Sequence, residues 1–118
     1  MPPLEGFEVR PYIFPEIDTL NLTGMQNGKE IKLRSYRWPC PGERKAVVFI
    51  MHGYGSNCEH MGVIAKYLAA SGSEVFGMDM RGMGDSEGVR GQLDTNKEVY
   101  DDYWTLIFAA CRKYKINQ

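Results

Sequence analysis

The stretch AVVFIMHGYGS, residues 46–56, decides the fold of this chain. Its first six residues are apolar without a break, which is typical of a strand covered on both faces in the middle of a sheet. The two glycines that follow indicate a tight turn, because glycine adopts backbone conformations that other residues avoid. Ser56-Asn57-Cys58-Glu59 then matches a capping box, so a helix is predicted to begin there. The stretch therefore predicts a buried strand, a glycine turn and a helix.

The next elements repeat this alternation of strand and helix. The first helix is predicted to end at Gly72, and Glu74 to Asp79 reads as a second buried strand. A glycine-rich loop follows, and a second capping box, Thr95 to Glu98, opens another helix. Strand, helix, strand with short loops is a right-handed crossover, so the two buried strands should be parallel neighbours. The apolar faces predicted for the two helices are Met61, Ile64, Ala65 and Leu68, and Val99, Tyr103, Leu106, Ile107, Ala110 and Tyr114.

The residues before the buried strand predict an antiparallel hairpin. Thr19 to Thr23 and Glu30 to Tyr36 are compatible with strands, and Asn27-Gly28 between them supplies a tight turn. Residues 1–17 are predicted to be an irregular lead-in, and residues 18–118 a partial α/β domain. The fold class is thus α/β, with an antiparallel hairpin joined to a parallel sheet and flanking helices.

Composition narrows the functional classes. The chain of 118 residues is 43% hydrophobic and 25% charged, with a net charge of -1, which gives no reason to expect a nucleic-acid partner. Three scattered cysteines, Cys40, Cys58 and Cys111, form neither a disulfide framework nor a C-x-x-C motif. The N-terminus lacks the apolar run of a secretory signal, and no stretch approaches the ~20 apolar residues of a membrane span. We expect a cytoplasmic protein, with peripheral contact with a membrane left open.

The first candidate site is His52-Gly53-Tyr54-Gly55, directly after the central strand. Ligands of α/β sheets bind beyond the carboxyl ends of the strands, and a backbone N–H there could stabilise the oxyanion of a tetrahedral intermediate. One alternative is a strand-to-helix turn with incidental glycines. Another is a dinucleotide fingerprint of a Rossmann-type oxidoreductase, since Gly53-x-Gly55 follows a strand and Asp79 ends the next one. The third glycine of that fingerprint is missing, because Cys58 occupies its position.

The second candidate, Gly84-Asp85-Ser86-Glu87-Gly88, matches the G-x-S-x-G pattern of a nucleophile elbow. An elbow places its serine on a sharp turn directly between a strand and a helix. Here the strand is predicted to end near Asp79 and the next helix to begin near Thr95. Ser86 is therefore predicted to be a decoy and not a nucleophile.

The third candidate is the loop Asp79-Met80-Arg81-Gly82-Met83-Gly84-Asp85-Ser86. It is interpreted either as the rim of the same site or as a solvated turn in which Asp79 and Arg81 pair locally. Cys58-x-His60 has no carboxylate at a recognised metal-ligand spacing. No metal and no cofactor are predicted.

Together, the turn at residues 52–56 and Asp79-x-Arg81-Gly82-x-Gly84-x-Ser86 resemble the monoacylglycerol lipase and lysophospholipase branch of the α/β-hydrolases, of the serine aminopeptidase S33 type. Gly88-Val89-Arg90-Gly91 is similar to a segment of its plant-type members. Met83 departs from the family, which commonly has histidine there. The resemblance implies that the Tyr54 N–H is one half of an oxyanion hole, with His52 and Gly53 shaping its turn. It also implies that Asp79, Arg81, Gly82, Gly84 and Ser86 form a structural loop near the site.

The resemblance implies a serine hydrolase of lipid esters, and it places the catalytic triad after the helix that opens at Thr95. The chain is therefore interpreted as the N-terminal portion of such an enzyme, truncated before its nucleophile elbow and inactive alone. The alternative is a non-catalytic remnant or binding module. Because the strand at residues 46–51 would lose a neighbour in such a truncation, we expect a poorly soluble or molten chain. A cooperative, monomeric thermal transition would count against that expectation.

Overall fold

A computed structural model of the chain describes residues 14–92 and 95–116. The described residues begin with five short strands, and the predicted order of helix, strand and helix follows. The elements are β1 Glu16–Ile17, β2 Leu22–Gln26, β3 Lys29–Leu33, β4 Ser35–Trp38, β5 Ala46–Ile50, a 3₁₀ helix Cys58–Met61, α1 Gly62–Ala70, β6 Ser73–Met78 and α2 Asn96–Lys113.

Four of the strands form a mixed sheet in the order β1-β4-β6-β5. The strands β5 and β6 are parallel, with Val48 opposite Val75, which confirms the predicted parallel pair. Among the described residues, β5 is an edge strand with β6 as its neighbour, as expected for a strand that has lost one of its two neighbours. The predicted covering of both faces is confirmed, because alternate side chains of β5 pack into the hydrophobic clusters on the two faces of the sheet.

The predicted hairpin forms as a separate pair of strands, β2 and β3. Asn27 and Gly28 have φ angles of 52° and 74°, as the two central residues of a type I′ turn require. The first strand begins at Leu22 and not at Thr19. The run predicted as one strand from Glu30 to Tyr36 is divided at Arg34. Its backbone N–H donates to the Ser86 hydroxyl and its carbonyl accepts from Asp79 N–H, so β4 continues in the other sheet.

The first helical segment begins differently from the prediction. Asn57, not Ser56, caps the 3₁₀ helix, with its Oδ1 accepting a hydrogen bond of 3.2 Å from the His60 N–H. The capping box predicted between Ser56 and Glu59 is therefore wrong. Asn57 replaces it because a 3₁₀ turn brings the N–H of residue 60 to the asparagine side chain, and regular α-helix starts only at Gly62.

The helices cover opposite faces of the sheet. Helix α1 buries Ala65 and Ala69, whereas Ile64, which was predicted to face the core, is 55% exposed. Gly72, with φ 105°, follows the end of α1. The capping box of α2 is confirmed: Thr95 N–H donates to Glu98 Oε2 at 3.0 Å.

Two apolar clusters form the core. The α2 side includes Leu33, Phe76, Met78, Leu106 and Ala110, and the α1 side includes Tyr36, Trp38, Val75, Ala65 and Ala69. Residues 1–13 of the predicted lead-in lie outside the described residues, whereas Glu16–Ile17 are not irregular but pair with β4. No described helix combines the length and the apolar character needed to cross a membrane.

Candidate active site

The carboxyl ends of the parallel strands β5 and β6 are joined by a buried histidine. His52 is 5% exposed and follows β5. Its Nε2 accepts a hydrogen bond of 2.8 Å from Met80 N–H, and its Nδ1 lies 2.8 Å from the carbonyl oxygen of Gly53. Since Nε2 is the acceptor, the proton of a neutral ring is on Nδ1, which donates to Gly53. His52 therefore links the end of β6 to the glycine turn after β5.

The glycine turn presents the backbone of Tyr54 at the end of the sheet. Ser56 N–H donates to the Gly53 carbonyl at 3.1 Å, and Gly55 has φ 77°, a conformation that favours glycine. The Tyr54 side chain is 69% exposed, and its hydroxyl donates to the Gly91 carbonyl at 2.8 Å. Within the described part of the chain, the Tyr54 N–H has no hydrogen-bond acceptor. A backbone donor thus remains free at the edge where the family resemblance predicts an oxyanion hole.

Asp79 connects the elements around this turn. Its carboxyl is fully buried and accepts from Cys58 N–H at 2.7 Å, from Asp85 N–H at 2.9 Å and from the Tyr36 hydroxyl at 3.0 Å. Three such hydrogen bonds compensate the desolvation of a buried carboxylate. Asp79 therefore fixes the start of the 3₁₀ helix and the glycine-rich loop relative to β4.

Arg81 does not pair with Asp79, so the alternative of a solvated turn with a local Asp79–Arg81 pair is wrong. Its guanidinium instead forms a bidentate ion pair with Asp102 on α2, at 2.7 Å from Nε and 2.9 Å from Nη2. A third donor, Nη1, binds the Met25 carbonyl at 2.9 Å. Both side chains of the pair are almost fully buried. The planar guanidinium matches a carboxylate in this way and leaves Asp79 to bind backbone amides.

Sequence patterns had indicated neither Asp102 nor Tyr36 as part of this network. A signal for Asp102 was present, because it lies three residues after Val99 and four before Leu106 on the apolar face of α2. A carboxylate on a buried helix face requires a partner. The hydrogen bond from Tyr36 depends on the antiparallel pairing of β4 with β6, which the sequence does not specify.

Ser86 lies in the loop and is 2% exposed. Its hydroxyl donates to the Asp79 carbonyl at 2.5 Å and accepts from Arg34 N–H at 2.8 Å. The loop around it is fixed by glycines: a Cβ on Gly82 would lie 2.3 Å from the Val89 carbonyl oxygen, and one on Gly84 would lie 2.5 Å from Asp79 Oδ2. Ser86 thus makes two hydrogen bonds inside a closely packed loop.

Burial also controls the ionisation of groups beneath the site. Desolvation, reinforced by the Asp79 carboxylate, raises the pKa of the Cys58 thiol to about 12. The pKa of Tyr36 is raised by burial, with a further contribution from Asp79, and that of Tyr103 is raised mainly by burial. These groups remain protonated at neutral pH, so Cys58 is present as a thiol and not as the thiolate needed for metal binding or nucleophilic attack.

A second serine lies beside an imidazole. The Ser56 hydroxyl is 2.8 Å from His60 Nδ1, on the exposed surface after the glycine turn. A nucleophilic serine needs a base that is itself oriented by a third group. Among the described residues, the hydrogen bonds of His60 are formed with Ser56 and with Asn57. The pair therefore lacks the orienting acid of a triad.

Comparisons with known proteins agree with this geometry. The family model described as serine aminopeptidase, S33, matches residues 42–118. A monoacylglycerol lipase from Mycolicibacterium smegmatis is 30% identical over 77 residues, which are 65% of this chain and 28% of that protein. The chain thus spans less than a third of the length of this relative.

Solved structures show the same fold. A soluble variant of monoglyceride lipase from Saccharomyces cerevisiae superposes with a TM-score of 0.63 at 22% identity, over 80% of this chain and 31% of that one. A thermostable carboxyl esterase from Bacillus coagulans gives a TM-score of 0.69 at 19% identity, over 80% and 32%. The predicted resemblance to α/β-hydrolases of the monoacylglycerol lipase type is confirmed, and the chain belongs to the serine aminopeptidase S33 family of the α/β-hydrolase fold.

Proposed function

We propose that these residues form the oxyanion-hole side of a serine ester hydrolase that acts on a monoacylglycerol or a similar lipid ester. The observation that carries the proposal is the free N–H of Tyr54, placed at the carboxyl end of β5 by the His52 and Ser56 contacts to the preceding carbonyl. A preorganised donor of this kind contributes about 3 to 4 kcal/mol to stabilising the oxyanion of acyl transfer. The name of the M. smegmatis relative supports the lipid-ester substrate.

We further propose that the 118 residues do not hydrolyse esters by themselves. Ser86 is buried and uses its hydroxyl in two hydrogen bonds, so attack on an ester would require the loop to open. His52 uses its Nε2 lone pair to accept from Met80 N–H, which leaves no free basic nitrogen. The nucleophile, the acid and the catalytic histidine are then contributed by other polypeptide.

Assaying the purified chain with a p-nitrophenyl ester tests the second proposal. We expect no turnover above the uncatalysed rate. Turnover that is lost in Ser86→Ala would overturn the interpretation of Ser86 as a decoy. Turnover that is lost in Ser56→Ala but kept in Ser86→Ala would instead assign activity to the Ser56–His60 pair.

A chimera tests the first proposal. Residues 42–118, the part that matches the family model, replace the aligned segment of the M. smegmatis monoacylglycerol lipase, whose own nucleophile is retained. We expect measurable hydrolysis of a monoacylglycerol. Substitution of Ser86 by alanine should leave the chemical step intact if the chimera remains folded.

The competing function is a binding module without turnover, which the absence of an activated nucleophile among the described residues favours. A chimera that is folded by circular dichroism, binds a monoacylglycerol and yet releases no fatty acid would support that alternative. It would also refute the oxyanion role of Tyr54.

A further inference from the structure

We propose that the imidazole of His52 and the hydroxyl of Tyr54 form a two-sided clamp that fixes the direction of the Tyr54 N–H. This inference rests on the proposed function, because it concerns how the oxyanion donor is held. The two groups act through neighbouring carbonyls and do not touch the substrate as part of this role. They are therefore positioning residues.

The His52 side of the clamp acts through the peptide group between Gly53 and Tyr54. The Gly53 carbonyl receives the His52 Nδ1–H at 2.8 Å and Ser56 N–H at 3.1 Å. The described chain contains no cis peptide bonds, and in a planar trans peptide the C=O and N–H point in opposite directions. Holding the Gly53 oxygen toward the turn therefore directs the Tyr54 N–H away from it, toward the end of the sheet.

This arrangement requires one tautomer of His52. Met80 N–H donates to Nε2 at 2.8 Å, so a proton on Nε2 would place two donors against each other. A neutral ring consequently carries its proton on Nδ1, where it can hold the Gly53 carbonyl. The amide at the end of β6 thus sets the tautomer that positions the turn after β5.

The Tyr54 side of the clamp acts through the side chain of the donor residue itself. Its ring is 69% exposed, so burial does not hold it. The hydroxyl instead donates to the Gly91 carbonyl at 2.8 Å, and Gly91 N–H donates to the Gly82 carbonyl at 2.8 Å. The exposed ring is therefore tethered to the closely packed glycine-rich loop, and residue 54 is held from both sides of its backbone.

Nuclear magnetic resonance of the full 118-residue chain tests the histidine side. With ¹⁵N-labelled histidine at neutral pH, we expect His52 to show a protonated Nδ1 and an unprotonated Nε2. The chain has two histidines, and His60→Gln assigns the signals. A proton on Nε2 of His52, or on both nitrogens, would overturn the clamp.

Tyr54→Phe tests the tyrosine side, since it removes one hydroxyl and keeps the ring. We expect a loss of the ¹H–¹⁵N heteronuclear NOE at position 54, with the core strands unchanged. Tyr100→Phe is the matched control, because Tyr100 is 60% exposed on α2 and lies outside the turn. An unchanged NOE in Tyr54→Phe, or a wild-type spectrum without dispersed signals, refutes the clamp. Neither measurement depends on hydrolysis, so an inactive chimera with both signatures present would refute the proposed function alone.

Discussion

The glycine-rich loop and the solvent-facing sides of the two helices are built in opposite ways. Around the glycine-rich loop, the buried polar groups Asp79, Arg81, Ser86 and Asp102 are hydrogen-bonded to one another or to the backbone. Elsewhere, β5 is an edge strand, and the solvent-facing sides of the two helices, which lie on opposite faces of the sheet, expose large apolar side chains. These side chains are Val63, Ile64 and Tyr67 on α1, and Tyr100, Trp104 and Phe108 on α2.

Buried polar groups are costly unless each has its partner. Asp79, Arg81, Ser86 and Asp102 meet that requirement among the described residues, whereas the buried hydroxyl of Tyr103 has no hydrogen-bond partner there. A group of large exposed apolar side chains, such as the one on each helix, is typical of an interaction surface. The packing of the loop and the exposure of the helix faces can therefore be tested separately. These tests need a cooperative unfolding transition, and such a transition would count against the expectation of a molten chain.

The largest effect is expected for Asp102→Ala, which leaves the Arg81 guanidinium buried without its carboxylate. Breaking a buried pair from one side costs about 3 to 5 kcal/mol of unfolding free energy, measured by urea denaturation at low micromolar concentration. Asp101→Ala is the matched control. Asp101 pairs with Lys97 on the surface, and loss of such a solvent-screened pair should leave the free energy of unfolding almost unchanged. Equal effects of the two substitutions would contradict the structural role of Arg81.

A comparison of Leu106→Ala with Trp104→Ala tests whether the solvent-facing side of α2 is exposed. Leu106 is fully buried on α2, whereas Trp104 is 55% exposed. We expect Leu106→Ala to cost about 2 to 5 kcal/mol and Trp104→Ala less than about 1 kcal/mol. Trp104→Ala should also lower self-association in sedimentation velocity experiments. A larger destabilisation by Trp104→Ala would show that the Trp104 side chain is packed and not exposed.

Glycine substitutions test the packing of the loop. Gly82 and Gly28 both have positive φ, but a Cβ at Gly82 would meet the Val89 carbonyl, whereas a Cβ at Gly28 would meet nothing within 4 Å. Gly28→Ala should therefore cost about 1 to 2 kcal/mol from backbone strain alone. Gly82→Ala should cost about 1 to 3 kcal/mol more, because the loop must shift. Similar unfolding free energies for the two variants would show that the loop yields easily.

The sequence was sufficient to predict the parallel strand pair, the hairpin turn and the cap of α2. Each depends on local signals: an apolar run, Asn27-Gly28, and Thr95 with Glu98. It was not sufficient for the pairing of β4 with β6 or for the partners of Asp79 and Arg81. Sheet order and ion pairing depend on residues far apart in the chain, as in the pairing of Arg81 with Asp102. The roles of Tyr54 and Ser86 stay predictions, which the ester assay and the chimera test.

The smallest expected effect is a fall in the free energy of unfolding at alkaline pH. It distinguishes the buried thiol of Cys58 from the partly exposed thiols. Burial raises the pKa of Cys58 from 9.0 to about 12. Above pH 9 the unfolded chain loses this proton and the folded chain keeps it, so stability that is complete below pH 9 falls as pH rises toward 12. One proton gives a limiting slope of about 1.4 kcal/mol per pH unit. Because only half of the unfolded thiols are ionised at pH 9, we expect a fall of about 1 kcal/mol between about pH 9 and 10. Urea midpoints measure this fall before the tyrosines of the unfolded chain ionise fully.

Two cysteine variants show which thiol causes this dependence of stability on pH. Cys58→Ala should lower stability at neutral pH, because it leaves a cavity, but should flatten the fall at alkaline pH. Cys40→Ala, at a half-buried position, should leave the slope unchanged. If the slope persists in Cys58→Ala, the proton that couples folding to pH belongs to another group. The most direct alternatives are Tyr36 and Tyr103, whose pKa values are also raised by burial. The variant Tyr36→Phe would then show how much of the slope is due to the hydroxyl that donates to Asp79.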